Sequence, residues 1–381
     1  MIILLSRLTS EIKFRKKLYN LTLRIFISSH RIQRNLKKNG MKKMKIIVDV
    51  MGSDLGPAEI IKGAVQGAEK YQIEIILVGD KTIIDSTIEK YGKNSSGITV
   101  VNADDEIKMT DDPMSVRTKP NSSMRVALDI LSKGQADALV SCGNTGALQT
   151  GATLYAKRIK GVYRAAIGAV MPLTKPLLLL DSGANISVTP EFLLQFAIMG
   201  SVYMEKRYNI ESAKVGLLNI GTESHKGTSL QTETYDLLKN SKYVNFVGNI
   251  EGKDIPFGAC DVLITDGFTG NVCLKTTEGT ASYLVSLLKQ IFKKNIRTKL
   301  AYLLVKDEMS LLKSKMSSKT QGGAPILGIS HPVIKAHGNS DADAIENAIK
   351  QAIIFSEGKI IEEITDKIAA INSDLTVNQQ N

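Results

Sequence analysis

The chain contains no tryptophan, and aromatic residues make up only 5% of its 381 residues. Proteins that hold single-stranded nucleic acid rely on aromatic side chains on which bases stack, so nucleic acid is not an expected partner. The three cysteines, Cys142, Cys260 and Cys273, share no spacing typical of a disulfide framework or a zinc site. The four histidines show no metal-ligand spacing either. We therefore expect a reduced, cytoplasmic setting and no bound metal.

Long apolar runs and nucleotide-binding signatures are also missing. The apolar stretch that opens the chain, Met1 to Leu5, is too short to span a membrane. The sequence has neither a Walker motif nor a GxGxxG motif, which argues against nucleotide binding. What is present is ordinary globular composition, with 43% hydrophobic and 23% charged residues. The length suits one large α/β domain or two smaller ones.

The positive charge is confined to one end of the chain. Residues 1–43 contain 12 Lys and Arg residues and one acid, Glu11, so this segment carries the whole net charge of +11. The remaining residues are neutral overall, which argues against a basic membrane- or nucleic-acid-binding body. The segment has the composition of a transit peptide. Alternatively, translation begins later, at Met41 or Met44, directly before the first convincing strand.

From Lys45 onward, short apolar runs alternate with loops rich in Gly or Asn and with helical patterns such as Ala58–Tyr71 and Ser123–Lys133. This alternation predicts a Rossmann-like three-layer α/β sandwich with a mostly parallel sheet, over residues 44–373. A strand is also expected after Arg164. The other predicted strands are Ile46–Val50, Glu74–Val78, Thr99–Asn102, Ala138–Cys142, Leu177–Asp181, Val215–Ile220, Val244–Val247 and Val262–Thr265.

Two regions depart from the alternation. The stretch from Glu278 to Lys319 has no strand candidate, and it predicts a projecting helical hairpin over about 280–319. A final helix is predicted from Asp341 to about Ile371, with Ser340 as its N-cap. The polar residues 374–381 are expected to form a flexible tail.

Small polar residues are concentrated where five of the predicted strands end. Ligands bind at the carboxyl ends of strands in open α/β sheets. Glycines at such positions let backbone N–H groups approach an anion, while Asn, Ser and Thr add uncharged donors. Any one of these loops is more often a tight turn, but five together favour a phosphate site. The five loops are Asp49–Asp54, Ser141–Gly146, Asp181–Asn185, Asn219–Gly221 and Asp266–Asn271.

Cations near these loops are candidates for holding the anion. Lys119 precedes Ser122 and Ser123 at the start of a predicted helix, and Arg164 precedes a strand. Further along the chain, Lys226 follows the Asn219–Gly221 loop, and Lys335 and His337 flank the last loop. For each cation a solvated surface position is the alternative interpretation. Cys142 is a candidate nucleophile for acyl transfer, but a cysteine after an apolar strand is more often a small buried hydrophobe.

Taken together, these segments resemble the phosphate acyltransferases of bacterial phospholipid synthesis. The combination of Ser141–Gly146, Gly248–Gly258 and Asp266–Asn271 is the most specific part of the resemblance, which covers most of residues 44–360. Ser53, Leu55, Cys142 and Ser182 depart from the pattern that we expect. The other matching segments are Val48–Pro57, Lys119–Ser123, Leu180–Asn185, Phe196–Tyr203, Val215–Gly221 and Gly322–Ser340.

The resemblance implies a fold like that of phosphotransacetylases and isopropylmalate-type dehydrogenases. It implies an enzyme that transfers a long-chain acyl group from acyl carrier protein to inorganic phosphate. The product would pass to a membrane glycerol-3-phosphate acyltransferase, and the enzyme would be a cytoplasmic homodimer at the membrane surface. No cofactor is expected, because phosphopantetheine enters as part of the acyl-carrier-protein substrate.

The resemblance also implies catalytic and substrate-binding roles for residues of the polar loops. We predict that Lys226, His337, Asn185 and Asp181 are catalytic, with Lys226 or His337 meeting the leaving thiolate. The predicted phosphate- and substrate-binding residues are Lys119, Ser122, Ser123, Gly143, Asn144, Thr145, Gly146, Arg164, Asn219, Asp266, Gly267, Thr269, Gly270 and Asn271.

The hairpin carries apolar residues at helical spacing, among them Leu284, Leu288 and Ile291, and a second stripe begins with Leu300 and Leu304. Nine basic and two acidic residues lie between positions 289 and 319. This pattern predicts either a dimer interface or a surface for anionic membranes, and the two can coexist.

Two other kinds of enzyme fit less well. An acetyl- or butyryl-type phosphotransacylase that uses acyl-coenzyme A is the first alternative. A metal-dependent decarboxylating dehydrogenase would need clustered acids and a nicotinamide site, and the sequence shows neither clearly.

Overall fold

A computed structural model describes residues 43–91, 97–173, 175–315 and 322–378. The predicted N-terminal extension, residues 1–43, lies outside this part of the chain except for Lys43. Eleven strands of the described residues form one sheet in the order β3-β2-β1-β4-β11-β10-β5-β6-β9-β7-β8. They are β1 Lys45–Asp49, β2 Glu74–Gly79, β3 Ile98–Asn102, β4 Ala138–Ser141, β5 Ala166–Pro172, β6 Pro176–Leu180, β7 Lys214–Asn219, β8 Asn245–Glu251, β9 Val262–Ile264, β10 Ala324–Leu327 and β11 Val333–Lys335.

Two parallel groups of strands make up this sheet, with an antiparallel seam between them. Strands β3, β2, β1, β4 and β11 are mutually parallel, and so are β6, β9, β7 and β8. At the seam, β10 is antiparallel to both β11 and β5, and β5 is antiparallel to β6. The mostly parallel sheet that the sequence predicts is therefore confirmed.

Across the antiparallel seam, the carboxyl ends of the two strand groups lie at nearly the same height along the strand direction. Lys335, the last residue of β11, pairs with Ala324 at the start of β10. Two residues further along β10, Ile326 pairs with Ile167, which lies beside the end of β6. Two residues of strand correspond to about 7 Å. The loops that leave the two groups therefore meet at the boundary between them.

Helices cover both faces of the sheet. Alternate residues of β1 point to opposite sides: Ile46 and Val48 belong to one buried apolar cluster, and Ile47 belongs to another. The α-helices are α1 Pro57–Tyr71, α2 Lys81–Tyr91, α3 Ser115–Thr118, α4 Ser123–Ser132, α5 Thr145–Gly151, α6 Pro190–Tyr208, α7 Ser229–Asn240, α8 Gly267–Lys293, α9 Ile296–Lys315, α10 Ala342–Glu357 and α11 Ile360–Asn378. This arrangement is the predicted three-layer sandwich.

The ends of the first helix show how the sequence determines local structure. Gly56, with φ of 77°, turns the chain into α1, and Pro57 takes the first position, where its missing N–H costs nothing. Gly63 lets α1 approach α10, because a side chain there would overlap the carbonyl oxygen of Ala342. The two helices therefore pack closely on the same face of the sheet.

The structure corrects three details near the C-terminus. Strands β10 and β11 were not predicted. The single final helix is two helices, and Asp341, not Ser340, caps the first by accepting a hydrogen bond from the backbone N–H of Ala344. Helix α11 continues to Asn378, so the predicted tail is helical at its start. Asp374 in this segment accepts a hydrogen bond from Tyr243 Oη at 2.8 Å. Residues 379–381 lie outside the described part.

Helices α8 and α9 form the hairpin, which begins earlier than predicted. The connecting turn is capped at Asn295, whose side-chain oxygen accepts from the backbone N–H of Thr298 at 3.0 Å. The Phe292 and Tyr302 rings pack across the hairpin with centroids 5.4 Å apart. In the described part of α8, only Gly267 and Gly270 are buried, so the helix extends away from the core. Predicted hairpin residues 316–319 are not described.

Candidate active site

Three loops of the first strand group pack against one another at the boundary. The backbone N–H of Asp54 and the hydroxyl of Ser53 both donate to the carbonyl of Gly338, at 2.9 and 3.0 Å. Gly52, with φ of 74°, lies so close to Gly143 that a β-carbon would stand 3.1 Å from its Cα. Backbone of this kind needs glycine, because other residues rarely adopt positive φ. The loops that follow β1, β4 and β11 therefore form one rigid wall.

Asp49, at the end of β1, fixes the base of this wall. Its carboxylate accepts hydrogen bonds from the hydroxyls of Ser123 at 2.6 Å and Ser141 at 2.7 Å. Burial raises the pKa of Asp49, and these hydrogen bonds and the Lys335 charge oppose the rise. Ser141 in turn accepts from the backbone N–H of Gly143 at 3.1 Å. Because Ser123 is engaged here, its hydroxyl is a structural link in this conformation and not a free phosphate donor.

Lys335 is a buried cation at the end of β11. Its Nζ donates to the carbonyl of Cys142 at 3.0 Å and to that of Ala336. Burial lowers the pKa of Lys335, and the nearby carboxylates Asp49 and Asp54 counteract this. The structure thus places the Lys335 amino group directly against the Ser141–Gly146 loop, which was predicted to bind an anion.

Two predicted phosphate ligands on this side are already occupied by protein partners. The Asn144 oxygen caps α5 by accepting from the N–H of Ala147, and its amide donates to the carbonyls of Met109 and Asp111 at 3.1 and 2.8 Å. Lys119 donates to Asp111 Oδ2 at 2.9 Å, which raises the pKa of Lys119. Both side chains therefore hold the segment before α3 in place.

Other members of this predicted group differ in exposure. Ser122 is buried, and its hydroxyl donates to the carbonyl of Lys119 at 2.8 Å. Thr145 is exposed, and Gly146 is partly buried, packing against Pro113. Of the two hydroxyl residues, Ser122 and Thr145, only Thr145 is exposed to solvent.

Asp181 organises the corresponding loop of the second strand group. It is fully buried, and its Oδ1 accepts from the backbone N–H groups of Gly183 at 3.0 Å and Ala184 at 2.9 Å. Its Oδ2 accepts from both the backbone and the side-chain amide of Asn185, at 2.7 and 2.8 Å. Burial raises the pKa of Asp181, and these hydrogen bonds counteract the rise. In this structure Asp181 and Asn185 therefore shape the loop, and the catalytic role predicted for them stays a prediction.

The start of α8 interlocks with this loop. The N–H of Gly267 donates to the carbonyl of Asn185 at 2.7 Å, and a β-carbon on Gly270 would overlap the carbonyl oxygen of Asp181. Asp266 is the N-cap of the helix, accepting from the N–H of Thr269 at 2.8 Å. Asp266 is therefore a capping residue, while the exposed Thr269 hydroxyl and Asn271 amide lie at the surface of the site.

Lys226 lies on a loop that two asparagines hold. The Asn219 amide donates to the carbonyl of Lys226 at 3.0 Å, and the buried Asn249 amide donates to that of Glu223 at 2.8 Å. The Lys226 side chain is partly buried against Gly221. Asn219 is thus a support for Lys226 and not a surface donor. Asn249, which supports the same loop, had not been identified from the sequence.

Direct contacts join the two sides. The Gln149 amide on α5 donates to the carbonyl of Ala184 at 3.3 Å.

His337 faces α8. Partial desolvation lowers the pKa of its imidazole, and the charges of Lys275 and Lys335 lower it further. A lowered pKa keeps the neutral ring predominant at pH 7, and a neutral imidazole can accept a proton. Arg164 lies outside this cluster, exposed with its guanidinium 5.8 Å from the Phe192 ring centroid.

An open cavity of about 390 Å³ adjoins the loops of the second strand group. It is lined by Ile186, Ser187, Val188, Thr228, Leu230, Gln231, Asp266, Phe268 and Thr269. Asp266 and Thr269 belong to both the cavity and the predicted phosphate loop. The cavity is therefore continuous with that loop.

The arrangement favours holding an anion between rigid backbone loops, with cations and an imidazole nearby. Cys142 suits a thiolate nucleophile poorly, because burial raises its pKa to about 12. Among the described residues, no group of three or more His, Cys, Asp or Glu side chains could hold a metal ion.

Comparison with known proteins places the chain in a family. Residues 44–363 match the family model described as "Fatty acid synthesis protein". A phosphate acyltransferase from Thermoanaerobacterium thermosaccharolyticum is 47% identical over 335 residues, which covers 87% of this chain and 99% of the relative. A phosphate acyltransferase from Bacillus subtilis is 44% identical over 313 residues, covering 81% and 93%.

Solved structures support the fold. A phosphotransacetylase from Streptococcus pyogenes superposes with a TM-score of 0.54 at 15% identity, covering 87% of this chain and 99% of its own. A phosphotransacetylase from Staphylococcus aureus gives the same TM-score at 16% identity, covering 87% and 98%. At these identities the likeness concerns the fold alone, and it agrees with the predicted phosphotransacetylase-like architecture.

Proposed function

The chain belongs to the phosphate acyltransferase family, and from this premise we propose that it transfers a long-chain acyl group from acyl carrier protein to inorganic phosphate. As an acyltransferase of fatty acid and phospholipid synthesis, it needs to hold phosphate beside a thioester. The observation that carries the proposal is the meeting of glycine-rich loops from the two strand groups, joined by the hydrogen bond from Gln149 to Ala184, with Lys335 and His337 on the first group and Lys226 on a loop of the second.

In the proposed reaction, phosphate is the nucleophile. A phosphate oxygen forms a bond to the thioester carbon, the carbon–sulfur bond breaks, and its electron pair leaves on sulfur. The protein has to position the two substrates and stabilise the oxyanion that develops on the thioester carbonyl. Exposed donors such as Thr145, Thr269 and Asn271 are suited to the phosphate. Lys226 or neutral His337 is suited to the sulfur, which ends as a thiolate or, after protonation, as a thiol.

The donor follows from the same proposal. Phosphopantetheine would enter on acyl carrier protein, so the enzyme itself would need no cofactor. The acyl phosphate would be consumed by a membrane glycerol-3-phosphate acyltransferase, which places the enzyme in the cytoplasm at the membrane surface. A short-chain phosphotransacylase acting on acyl-coenzyme A is the alternative.

A donor comparison tests the proposal. The protein is incubated with radiolabelled phosphate and, in separate reactions, palmitoyl-acyl carrier protein, palmitoyl-coenzyme A or acetyl-coenzyme A. We expect the highest kcat/KM for palmitoyl-acyl carrier protein, with labelled palmitoyl phosphate as product. Preference for acetyl-coenzyme A would favour the short-chain alternative, and no labelled product with any donor would contradict both.

We also propose that paired hairpins form a homodimer contact and present their tips to anionic membranes. Large apolar side chains are exposed on both helices, including Leu284, Ile291, Leu300 and Leu304, the last by 88%. Leu288 is partly buried. No described helix is both long and apolar enough to cross a bilayer. Exposed apolar residues beside basic ones suit the surface of an anionic membrane.

Replacing both Leu300 and Leu304 with Glu is expected to weaken binding to vesicles that contain anionic lipid by about 10-fold or more, because two apolar side chains are lost and two negative charges face the lipid. Sedimentation with vesicles measures the effect. Ile83→Glu on α2 is a matched control, since Ile83 is also an exposed apolar residue. The parent should bind neutral vesicles poorly and lose binding as salt increases.

Two results would count against this assignment. Sedimentation of the double variant equal to that of the parent would exclude the hairpin as the anchor. Dissociation of the variant into monomers would show that these two leucines belong to the dimer contact.

A further inference from the structure

Two large apolar side chains stand exposed in the site, one after the Asp181 loop and one at the start of α8. Ile186 is 77% exposed and Phe268 is 64% exposed, and both line the cavity beside α8. Ile186 follows the Asp181 loop directly, and Phe268 lies in the first turn of α8. Exposed apolar side chains in a fixed polar site are typical of a surface that a ligand covers.

The lining of the cavity contains both apolar and polar side chains. Val188 and Leu230 continue the apolar side and pack against the core behind it. Thr269 and Asp266, also in the lining, belong to the predicted phosphate loop. Thr228 fixes part of the rim, because its side chain and that of Gln231 cap α7 reciprocally. A ligand that fills the cavity would have a long apolar part and a polar end at Thr269.

We infer that this cavity binds the acyl chain of the thioester substrate, with Phe268 and Ile186 as determinants of chain-length preference. The inference rests on the proposed function, which brings a thioester to the loop at Thr269. The carrier's pantetheine arm is the competing occupant, because Ser187, Thr228 and Gln231 in the lining offer partners to its amides, and the chain-length test below separates the two. A longer chain covers more of this apolar wall and so gains more binding free energy.

The test compares chain lengths on one carrier. Palmitoyl and butyryl thioesters of acyl carrier protein are assayed with the parent, Phe268→Ala and Ile186→Ser. For each variant we expect kcat/KM for the palmitoyl substrate to fall on the order of 10- to 100-fold through a higher KM. The butyryl substrate and the KM for phosphate should change less than about 2-fold, because a short chain covers little of the wall.

Phe257→Ala serves as the matched control, because Phe257 is 78% exposed but does not line the cavity. It should leave the ratio of palmitoyl to butyryl kcat/KM as in the parent. Ile186→Ser keeps the test decisive if Phe268→Ala folds poorly, since the highly exposed Ile186 contributes little to the core.

The possible failures are distinguishable. If the parent makes no acyl phosphate from either substrate, the proposed function itself is wrong. If the parent is active but both variants lose activity equally on the two chain lengths, the cavity contacts the carrier arm and the inference is wrong. It is also wrong if the variants differ from the parent in mass by light scattering, because Phe268 and Ile186 would then be subunit contacts.

Discussion

Replacing Asp181 with Asn is expected to lower the free energy of unfolding by about 2–4 kcal/mol and kcat/KM by about 100-fold or more. The new amide group would face the backbone N–H and side-chain amide of Asn185, donors that now bond to Asp181 Oδ2. Each buried donor left without an acceptor costs about 1–3 kcal/mol. The loop carries the start of α8 through Gly267, so its displacement misplaces the site. Urea unfolding and steady-state kinetics measure the two effects.

Asp49→Asn is the matched control, because Asp49 is equally buried but accepts mainly from the hydroxyls of Ser123 and Ser141. A hydroxyl can rotate to accept a hydrogen bond from the new amide, whereas a backbone N–H cannot reverse. The loss of stability should therefore be smaller for Asp49→Asn than for Asp181→Asn. Equal stability losses, or parental activity in Asp181→Asn, would show that the Asp181 hydrogen bonds do not set the loop.

The second large effect is expected at Lys226. Lys226→Ala should reduce kcat by about 100-fold, the scale observed when one donor to a transition state is removed. Its stability should stay within about 1 kcal/mol of the parent, because the loop is held by Asn219 and Asn249 and not by the lysine side chain. Turnover at saturating palmitoyl-acyl carrier protein and phosphate measures kcat, and urea unfolding measures the free energy of unfolding.

Lys239→Ala provides the comparison, since Lys239 is an exposed lysine in the last turn of α7, away from the Lys226 loop. It should retain parental kcat. A folded Lys226→Ala protein with parental turnover would remove Lys226 from the catalytic group and leave His337 as the candidate partner of the leaving sulfur.

The strands that the sequence predicts well are those that build the interior of each parallel group. Runs such as Ile75–Val78 are continuously apolar because helices cover both faces, and the observed ends of these strands differ from the predicted ones by about one residue. Strands β10 and β11 are as short as β4 and β9, but they escape the pattern because Gly322 and Gly323 directly precede one and Pro332 directly precedes the other, and such residues are typical of turns. Pro325 within β10 also argues against a strand, because proline has no N–H to donate to a neighbouring strand. It lies where β10 ends its pairing with β11, at Pro325, and begins its pairing with β5, at Ile326.

The meeting of the polar loops at one edge of the sheet was predictable, but the hydrogen-bond partners of individual side chains were not. Small polar residues at strand ends identify the loops, because parallel strands deliver their carboxyl ends to one edge. Whether a side chain faces substrate or backbone depends on contacts far along the chain. Asn144 meets carbonyls 33 to 36 residues away, and Asp181 reaches the N–H of Ile167, 14 residues earlier. No local pattern specifies such partners.

The central claim is that phosphate itself attacks the thioester within these loops. A rapid-quench experiment that mixes the enzyme with palmitoyl-acyl carrier protein, first without and then with phosphate, tests it directly. We predict no release of the carrier thiol before phosphate is added, and then one palmitoyl phosphate for each thiol released. Release of one thiol per enzyme in the absence of phosphate would reveal an acyl-enzyme and contradict this account, as would thiol release with phosphate that yields no palmitoyl phosphate.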